Sequence, residues 1–401
     1  MHRLLSVMVS IALVFSVAVS ACADEEDYDD YEDYENDIDI YDTDPSEWTD
    51  IVQIVNSYYM LLGLRADGTV LFHYIPGPWT NRDISSLICK EVVEWTDIQN
   101  LIEGNMCVVG LKNDGTVVSV AWDWREDDMV SFPIAGMERW NDITKIVPGL
   151  GWLAGLRGDG TVIVTEKYAA EDYDYGWGDE WLDVSAWENI ADIIPYNGWS
   201  ATNGLIGLKS DGTLLFTHPS KYNREGELFA EYIYEWDDIV SVCTTNSDFY
   251  GVRSDGTVAA PEGFDPAHLN NGGALVQGIR CWGTSPSGWT GVKALFSCYM
   301  DDIFALHKDG TVSAWIYNYF YLEKDLYQIQ DWKNIKILYP YVSYIIGVTE
   351  DGSVQCISDE YEMGNLHDIT AWNNIEDIVV GGDYTAGLTK DGTVRVIYFE
   401  N

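Results

Sequence analysis

Trp48-Thr49-Asp50-Ile51 begins the stretch that decides the fold, and Gly63-Leu64-Arg65-Ala66-Asp67-Gly68-Thr69-Val70 ends it. The same opening and closing return seven more times, with the opening weakened once to Trp289-Thr290-Gly291-Val292. Every closing contains an Asp-Gly pair followed by Thr or Ser and then by Val or Leu. The eight pairs are Asp67-Gly68, Asp114-Gly115, Asp159-Gly160, Asp211-Gly212, Asp255-Gly256, Asp309-Gly310, Asp351-Gly352 and Asp391-Gly392. Successive pairs lie 47, 45, 52, 44, 54, 42 and 40 residues apart. A period of this length is typical of propellers and other repeat arrays.

The residues around each pair predict β-structure. An Asp-Gly pair between two apolar runs predicts a hairpin, because glycine adopts a positive φ at no steric cost. The flanking runs are too short for helices and rich in residues that favour strands. Each repeat therefore predicts a strand after the Trp, a hairpin around Asp-Gly, and a fourth strand before the next Trp. Candidates for the fourth strand are Leu87-Ile88-Cys89, Ala230-Glu231-Tyr232-Ile233-Tyr234 and Leu326-Tyr327-Gln328-Ile329. Four strands per repeat predict one blade of an all-β, closed β-propeller.

The repeat resembles the RCC1-type repeat in its bacterial, extracellular form, over residues 48–401. The resemblance implies a propeller, usually of seven blades, that acts as a recognition platform. Eight hairpins favour eight blades here, and seven is the alternative that the family implies. The turn aspartates and glycines recur in every unit, so we interpret them as structural rather than catalytic.

The N-terminal residues 1–21 predict a signal peptide, because a weakly basic start precedes an apolar run too short to span a membrane. Val19-Ser20-Ala21-Cys22 resembles the bacterial lipobox, which implies cleavage before Cys22 and attachment of lipid to its thiol. An ordinary signal peptide with a chance cysteine is the alternative. We therefore expect an exported protein that is lipid-anchored on the outer face of the bacterial cell membrane.

Residues 22–47 form an acidic segment, in which Asp24–Glu47 holds 14 Asp or Glu and no Lys or Arg. Such a segment repels itself and stays extended, as a tether would. A weak Ca²⁺-binding role is the alternative. Asp37-Ile38-Asp39-Ile40-Tyr41 alternates apolar and polar residues, and it is our candidate for a strand that closes the last blade.

The composition argues against several functions. A net charge of −44 opposes nucleic-acid binding, which depends on Lys and Arg to neutralise phosphates. We find no paired His, no Cys-x-x-Cys and no nucleophile motif, so we expect no metal, no cofactor and no enzymatic activity. Of the cysteines, Cys89 with Cys107 and Cys281 with Cys298 are weak candidates for disulfides, and buried free thiols are the favoured interpretation.

The connectors between a hairpin and the next Trp differ in length and are rich in aromatic residues. Exposed Trp and Tyr side chains anchor protein interfaces and also stack on sugars. The alternative is that these rings pack between blades. The candidate ligand-binding residues are Trp122, Trp124, Tyr173, Tyr175, Trp177, Trp181 and Trp282.

The sequence thus predicts a non-enzymatic, membrane-anchored extracellular propeller that binds a protein partner through aromatic-rich loops. A cell-surface carbohydrate-binding protein is the second hypothesis, with Trp124, Trp177 and Trp181 as stacking platforms. A propeller glycosidase or lyase is the third, because pairs of carboxylates stay possible among so many acids.

Overall fold

The computed structural model describes residues 41–399 with fourteen gaps. The gaps are 58–59, 76–81, 126–127, 150, 167–181, 198–202, 218–235, 246–248, 261–285, 299–301, 317–325, 342–343, 359–364 and 382–383. The signal-peptide prediction, Cys22 and most of the acidic segment lie outside the described residues.

Eight antiparallel sheets follow one another along the described chain, and each contains one Asp-Gly hairpin. Sheets 1 and 2 hold β1 (Ile51–Ser57), β2 (Met60–Arg65), β3 (Val70–Tyr74), β4 (Ile98–Gly104), β5 (Cys107–Lys112), β6 (Val117–Arg125) and β7 (Asp128–Phe132). Sheets 3 to 5 hold β8 (Ile143–Pro148), β9 (Leu153–Arg157), β10 (Val162–Val164), β11 (Ile190–Asn197), β12 (Asn203–Lys209), β13 (Leu214–Phe216), β14 (Ile239–Thr244), β15 (Phe249–Arg253) and β16 (Val258–Ala259). Sheets 6 to 8 hold β17 (Val292–Ser297), β18 (Ile303–His307), β19 (Val312–Trp315), β20 (Ile335–Pro340), β21 (Tyr344–Thr349), β22 (Val354–Ser358), β23 (Ile375–Val380), β24 (Tyr384–Thr389) and β25 (Val394–Tyr398).

The prediction of an all-β chain of repeated sheets is confirmed, but the predicted fourth strands are largely wrong. Within the described ranges, only sheet 2 has a fourth strand. Leu87-Ile88-Cys89 lies in a helix, α1 (Arg82–Val92), and Leu326–Ile329 lies in the 3₁₀ helix Leu326–Asp331. The candidate at 230–234 falls outside the described residues. Helix α1 forms because its buried residues follow a helical period, as Ser85, Ile88, Cys89 and Val92 show.

The repeated Trp and Gly are explained by one packing contact. A Cβ atom at Gly63 would lie 2.6 Å from Cζ3 of Trp48, so the indole ring packs directly on the glycine backbone. The same contact recurs in sheets 2, 3, 4, 5, 7 and 8. In sheet 6 the position is taken by Ala305, and this is the sheet with the weakened opening at Trp289. Each buried Trp thus fixes its strand against the hairpin of the same sheet.

The second residue after each Trp adopts a left-handed backbone conformation. Its φ is 60° at Asp50, 57° at Asn334 and 68° at Gly291, and the other five sheets have Asp or Asn with φ between 56° and 63°. Asp, Asn and Gly are the residues that tolerate this conformation best, which explains why the opening admits only these three.

The Asp-Gly turns connect each sheet to the next. In sheet 1, the backbone N–H and the hydroxyl of Thr69 both donate to Oδ1 of Asp67, at 3.0 Å and 2.6 Å. The carbonyl of Gly68 then accepts a hydrogen bond from the backbone N–H of Ile98 in sheet 2, at 3.1 Å. Equivalent bonds join every consecutive pair of sheets, and the carbonyl of Gly392 in sheet 8 accepts from Ile51 in sheet 1 at 3.0 Å.

Apolar side chains fill the spaces between neighbouring sheets, and sheet 8 packs on sheet 1 as the others pack on one another. Trp48, Ile51 and Ile54 of the first repeat share one buried cluster with Tyr384 and Leu388 of the last. The first strands contact the first strands of neighbouring sheets, so they form the inner edge of the assembly. The arrangement of the eight sheets is propeller-like.

The prediction of a closing strand at Asp37–Tyr41 lies almost wholly outside the described residues, and Tyr41 itself is helical. The chain that follows makes one bridge, from Asp42 to Phe72 of β3 in sheet 1. The short 3₁₀ helix Pro45–Glu47 then lies beside β25 of sheet 8. The segment before Trp48 therefore contacts both end sheets.

The hydrogen bonds of the turns predict acid sensitivity. Hydrogen bonds from Thr or Ser hydroxyl and backbone N–H groups hold the pKa of all eight turn aspartates below its usual value. For Asp351, the hydroxyl of Thr349 has the largest effect and the pKa is lowered to about 2. Because the pKa is lower in the folded state, this stabilisation is complete above the pKa of the unfolded chain and is lost as pH falls through the folded pKa. We therefore expect stability to decrease between about pH 4 and about pH 2.

Asp351→Asn tests this expectation through urea midpoints measured at several pH values. The variant should be less stable than the wild type at pH 7, and the two midpoints should converge as the pH approaches 2. A difference that stays constant from pH 7 to pH 2 would contradict it.

Candidate binding surface

The sheets have two distinct ends, which we call the turn end and the loop end. The turn end carries the eight Asp-Gly turns. The loop end is the opposite end, where each first strand connects to the second and where each third strand finishes. The antiparallel order of every sheet defines these ends, because the third strand starts at the turn.

The aromatic-rich segments leave the sheets at the loop end. Strand β6, which contains Trp122 and Trp124, starts beside the turn at Gly115 and runs away from it. Segment 167–181 follows β10, and segment 261–285 follows β16, and both strands likewise start beside a turn. The structure therefore brings the points at which all three predicted binding segments begin to the same end.

Of the predicted ligand-binding residues, Trp122 is placed in the core. Its side chain is 2% exposed and shares a cluster with Ile88, Cys89 and Val92 of α1. This ring packs against the helix rather than facing solvent, so it contributes no exposed surface in this structure. The backbone of Trp124 pairs with Met129 of β7 further along the hairpin. Tyr173, Tyr175, Trp177, Trp181 and Trp282 lie outside the described residues.

The turn end consists largely of groups that satisfy one another. Each turn aspartate accepts from its neighbouring Thr or Ser, and the glycine carbonyl accepts from the next sheet. Six of the eight repeats place Arg, Lys or His two residues before the aspartate, at Arg65, Lys112, Arg157, Lys209, Arg253 and His307. The turn aspartates and the glycine carbonyls of this end are therefore engaged in the architecture itself.

The inner edge carries a β-bulge at the same position of all eight first strands. A bulge turns one side chain away from the regular alternation. Seven of the eight bulge residues are exposed and Lys336 is half-buried; Val52 and Val240 are 56% and 54% exposed. The bulge residues are Val52, Gln99, Thr144, Ala191, Val240, Lys293, Lys336 and Glu376. The sequence analysis missed this set, although the residue at this position varies among the repeats.

Polar contacts between neighbouring sheets hold the inner edge. Gln53 of sheet 1 donates to the carbonyl of Leu101 in sheet 2 and accepts from its N–H, both at 2.8 Å. Lys145 and Asp192 form an ion pair at 2.5 Å between sheets 3 and 4. Between sheets 7 and 8, the hydroxyl of Tyr339 donates to Asp377, whose pKa is raised by burial. Polar side chains therefore join the first strands of neighbouring sheets along the inner edge.

Reactive chemistry has little support among the described residues. No three His, Cys, Asp or Glu side chains in those ranges are grouped as a metal site requires. Cys89, Cys243 and Cys356 are buried free thiols, while Cys107 is buried and Cys298 is half-buried. Burial raises the pKa of Cys243 to about 12 and that of Cys356 to about 12, which keeps both thiols protonated and poorly nucleophilic. None of the helices that the structure describes has the length and apolar character of a membrane span.

Comparison with known proteins gives a fold-level similarity only. No protein-family model matches the chain, and no curated protein matches it. Among solved structures, Sqt1 from Saccharomyces cerevisiae is similar with 11% identity and a TM-score of 0.47, over 89% of this chain and 98% of that chain. The computationally designed protein Ika8 is similar with 14% identity and a TM-score of 0.44, over 88% of this chain and 98% of that chain. Prp20p from Saccharomyces cerevisiae is similar with 11% identity and a TM-score of 0.38, over 66% of this chain and 71% of that chain.

Proposed function

We propose that this chain is a closed, eight-bladed, RCC1-like propeller that binds a protein partner at its loop end. The observation that carries the proposal is that the aromatic-rich segments all begin at this end. At the turn end, the aspartates are bonded within their turns and the glycine carbonyls are bonded between sheets. Loops on a rigid scaffold are where binding residues concentrate.

The closed ring is supported by the contacts between the last and first sheets. The Gly392–Ile51 hydrogen bond repeats the bond found between all the other consecutive sheets. The hydroxyl of Tyr384 also donates to Oδ1 of Asn56 at 2.6 Å, across the same seam. Eight sheets with eight such bonds favour eight blades over seven.

We also propose that the protein is exported and anchored by lipid at Cys22, so that the whole propeller lies outside the cell. The proposal rests on the lipobox-like Val19-Ser20-Ala21-Cys22. Replacing Cys22 with Ser should move the protein from the membrane fraction to the soluble fraction. A wild-type protein that is soluble without detergent, or that lacks an acyl group on Cys22 by mass spectrometry, would refute the anchor.

Binding at the loop end can be tested by photo-crosslinking in intact cells with the full-length chain. A photoreactive amino acid is placed at Trp124, Tyr175 or Trp177, and in matched controls at Thr96 and Lys333, which are exposed at the turn end. We expect protein adducts from the first group and none from the controls. Adducts that glycosidases remove would favour the carbohydrate-binding alternative, and equal adducts from both ends would refute a specific loop-end surface.

A further inference from the structure

His73 connects three parts of the chain that are far apart in sequence. Its Nδ1 lies 2.8 Å from Oδ1 of Asp42, and its Nε2 lies 2.7 Å from the hydroxyl of Tyr398. Asp42 belongs to the segment before the first repeat, His73 to β3 of sheet 1, and Tyr398 to β25 of sheet 8. Since a carboxylate only accepts, Nδ1–H donates to Asp42, and in the neutral imidazole Nε2 then accepts from the phenol. The three side chains form one hydrogen-bonded chain across the seam between sheets 8 and 1.

Neighbouring contacts hold the outer members of this chain in place. The backbone N–H of Tyr74 donates to Asp42 at 3.2 Å. The side-chain amide of Asn365 donates to the carbonyl of Tyr398 at 3.1 Å, and the rings of His73 and Tyr398 meet edge to face.

Thr43, the residue after Asp42, also binds the segment before Trp48 to the first repeat. Thr43 donates to the carbonyl of Phe72 through both its N–H, at 3.0 Å, and its hydroxyl, at 2.9 Å. The indole N–H of Trp48 donates to the hydroxyl of Thr43 at 2.9 Å. Residues 42–48 are thereby attached to sheet 1 at several points.

The seam between sheets 8 and 1 differs from the other seven because no stretch of chain connects these two sheets directly. At the turn end it has the Gly392–Ile51 bond that every seam has. Tyr384 and Asn56 add a second contact across it. On the outer strands β3 and β25, the Asp42–His73–Tyr398 chain makes the contact. Non-covalent contacts alone must therefore resist opening at this place.

We propose that Asp42, His73 and Tyr398 form a clasp that keeps this seam closed and fastens the segment before Trp48 to the ring. The clasp goes beyond the proposed binding function, because it concerns the opening of the assembly and needs no partner. Losing it opens the seam between sheets 8 and 1 before any other seam. It also makes residues 42–48 part of the folded unit rather than of the tether.

Hydrogen–deuterium exchange on the full-length protein tests the clasp. His73→Ala should speed exchange in β1 and in β23 to β25 by about tenfold, the factor that one to two lost hydrogen bonds correspond to. Strands β8 to β12, on the far side of the assembly, should keep their wild-type rates. Unchanged rates at the seam, or an equal increase in all sheets, would overturn the proposal.

His307 offers a matched control because both of its ring nitrogens are also bonded, but within sheet 6. Nδ1 lies 3.0 Å from the carbonyl of Thr290, and Nε2 lies 2.8 Å from the hydroxyl of Ser313. His307→Ala should therefore affect sheet 6 and leave the seam between sheets 8 and 1 unchanged. Faster exchange at that seam in this variant would show that loss of any bonded histidine suffices, which overturns the clasp.

Tyr398→Phe provides a milder test in case His73→Ala does not fold. It removes one hydroxyl from a side chain that is 44% exposed and keeps the ring. We expect faster exchange at the seam, by a smaller factor than in His73→Ala. In the double variant, exchange at the seam should match that of His73→Ala alone, since the phenol has then lost its acceptor. Fully additive effects would overturn the proposal.

Discussion

Replacing Trp332 with alanine is expected to lower the free energy of unfolding by about 3–5 kcal/mol, the usual cost of removing a buried aromatic ring. The side chain is 6% exposed and lies among Ile335, Leu338 and Ile345 in the core between sheets 6 and 7. Its ring also packs on Gly347, where a Cβ atom would lie 2.8 Å from Cζ3. Since a glycine beneath the ring has no side chain that could fill the space, the cavity would persist. Urea unfolding followed by circular dichroism would measure the change.

Lys333→Ala is the control for this prediction, because it changes the adjacent, exposed residue. Its effect should stay within about 0.5 kcal/mol, as is usual for surface substitutions. A loss of less than about 1 kcal/mol in Trp332→Ala would mean that the Trp-on-Gly contact does not determine the stability of the sheet.

Gly352→Ala is expected to destabilise the protein by about 2–5 kcal/mol through two separate costs. The backbone of Gly352 has a φ of 87°, which strains any residue that carries a Cβ atom. A Cβ atom there would also lie 2.7 Å from the backbone nitrogen of Ile375, the donor to the carbonyl of Gly352. The substitution therefore pushes sheets 7 and 8 apart at the bond that joins them.

Gly136→Ala separates these two costs. Gly136 has almost the same φ, 86°, but a Cβ atom there would meet nothing within 4 Å. In this variant the free energy of unfolding should fall only by the cost of the strained backbone, about 1–2 kcal/mol. Urea unfolding measures both variants. An equal decrease in their free energies of unfolding would show that the close contact between sheets 7 and 8 does not add to the cost of Gly352→Ala.

The repeated part of the fold could be predicted from the sequence because its signals are local. An Asp-Gly pair between apolar runs specifies a hairpin within a few residues, and the structure has a hairpin at each of the eight pairs. The prediction of a fourth strand at Leu87–Cys89 failed because three apolar residues fit a strand and a helix equally well. Only the longer spacing from Ser85 to Val92 shows the helical period that burial follows.

The clasp was harder to predict because its residues come together only in the folded chain. His73 and Tyr398 are 325 residues apart, and neither belongs to the repeated motif. The Trp122 candidate shows the opposite problem. Its position in a connector suggested exposure. In the structure, however, β6 pairs with a fourth strand, and Trp122 packs against α1. Aromatic content alone could not distinguish a ring that packs against a helix from one that faces solvent.

The β-bulges of the inner edge have a consequence for how such a protein can evolve. A bulged residue leaves the regular ladder, so its identity is not constrained by the packing that fixes Trp, Gly and the turn aspartate. The chain already has Val, Gln, Thr, Ala, Lys and Glu at these eight positions. Single substitutions at these positions can therefore change the side chains along the inner edge while the scaffold stays intact.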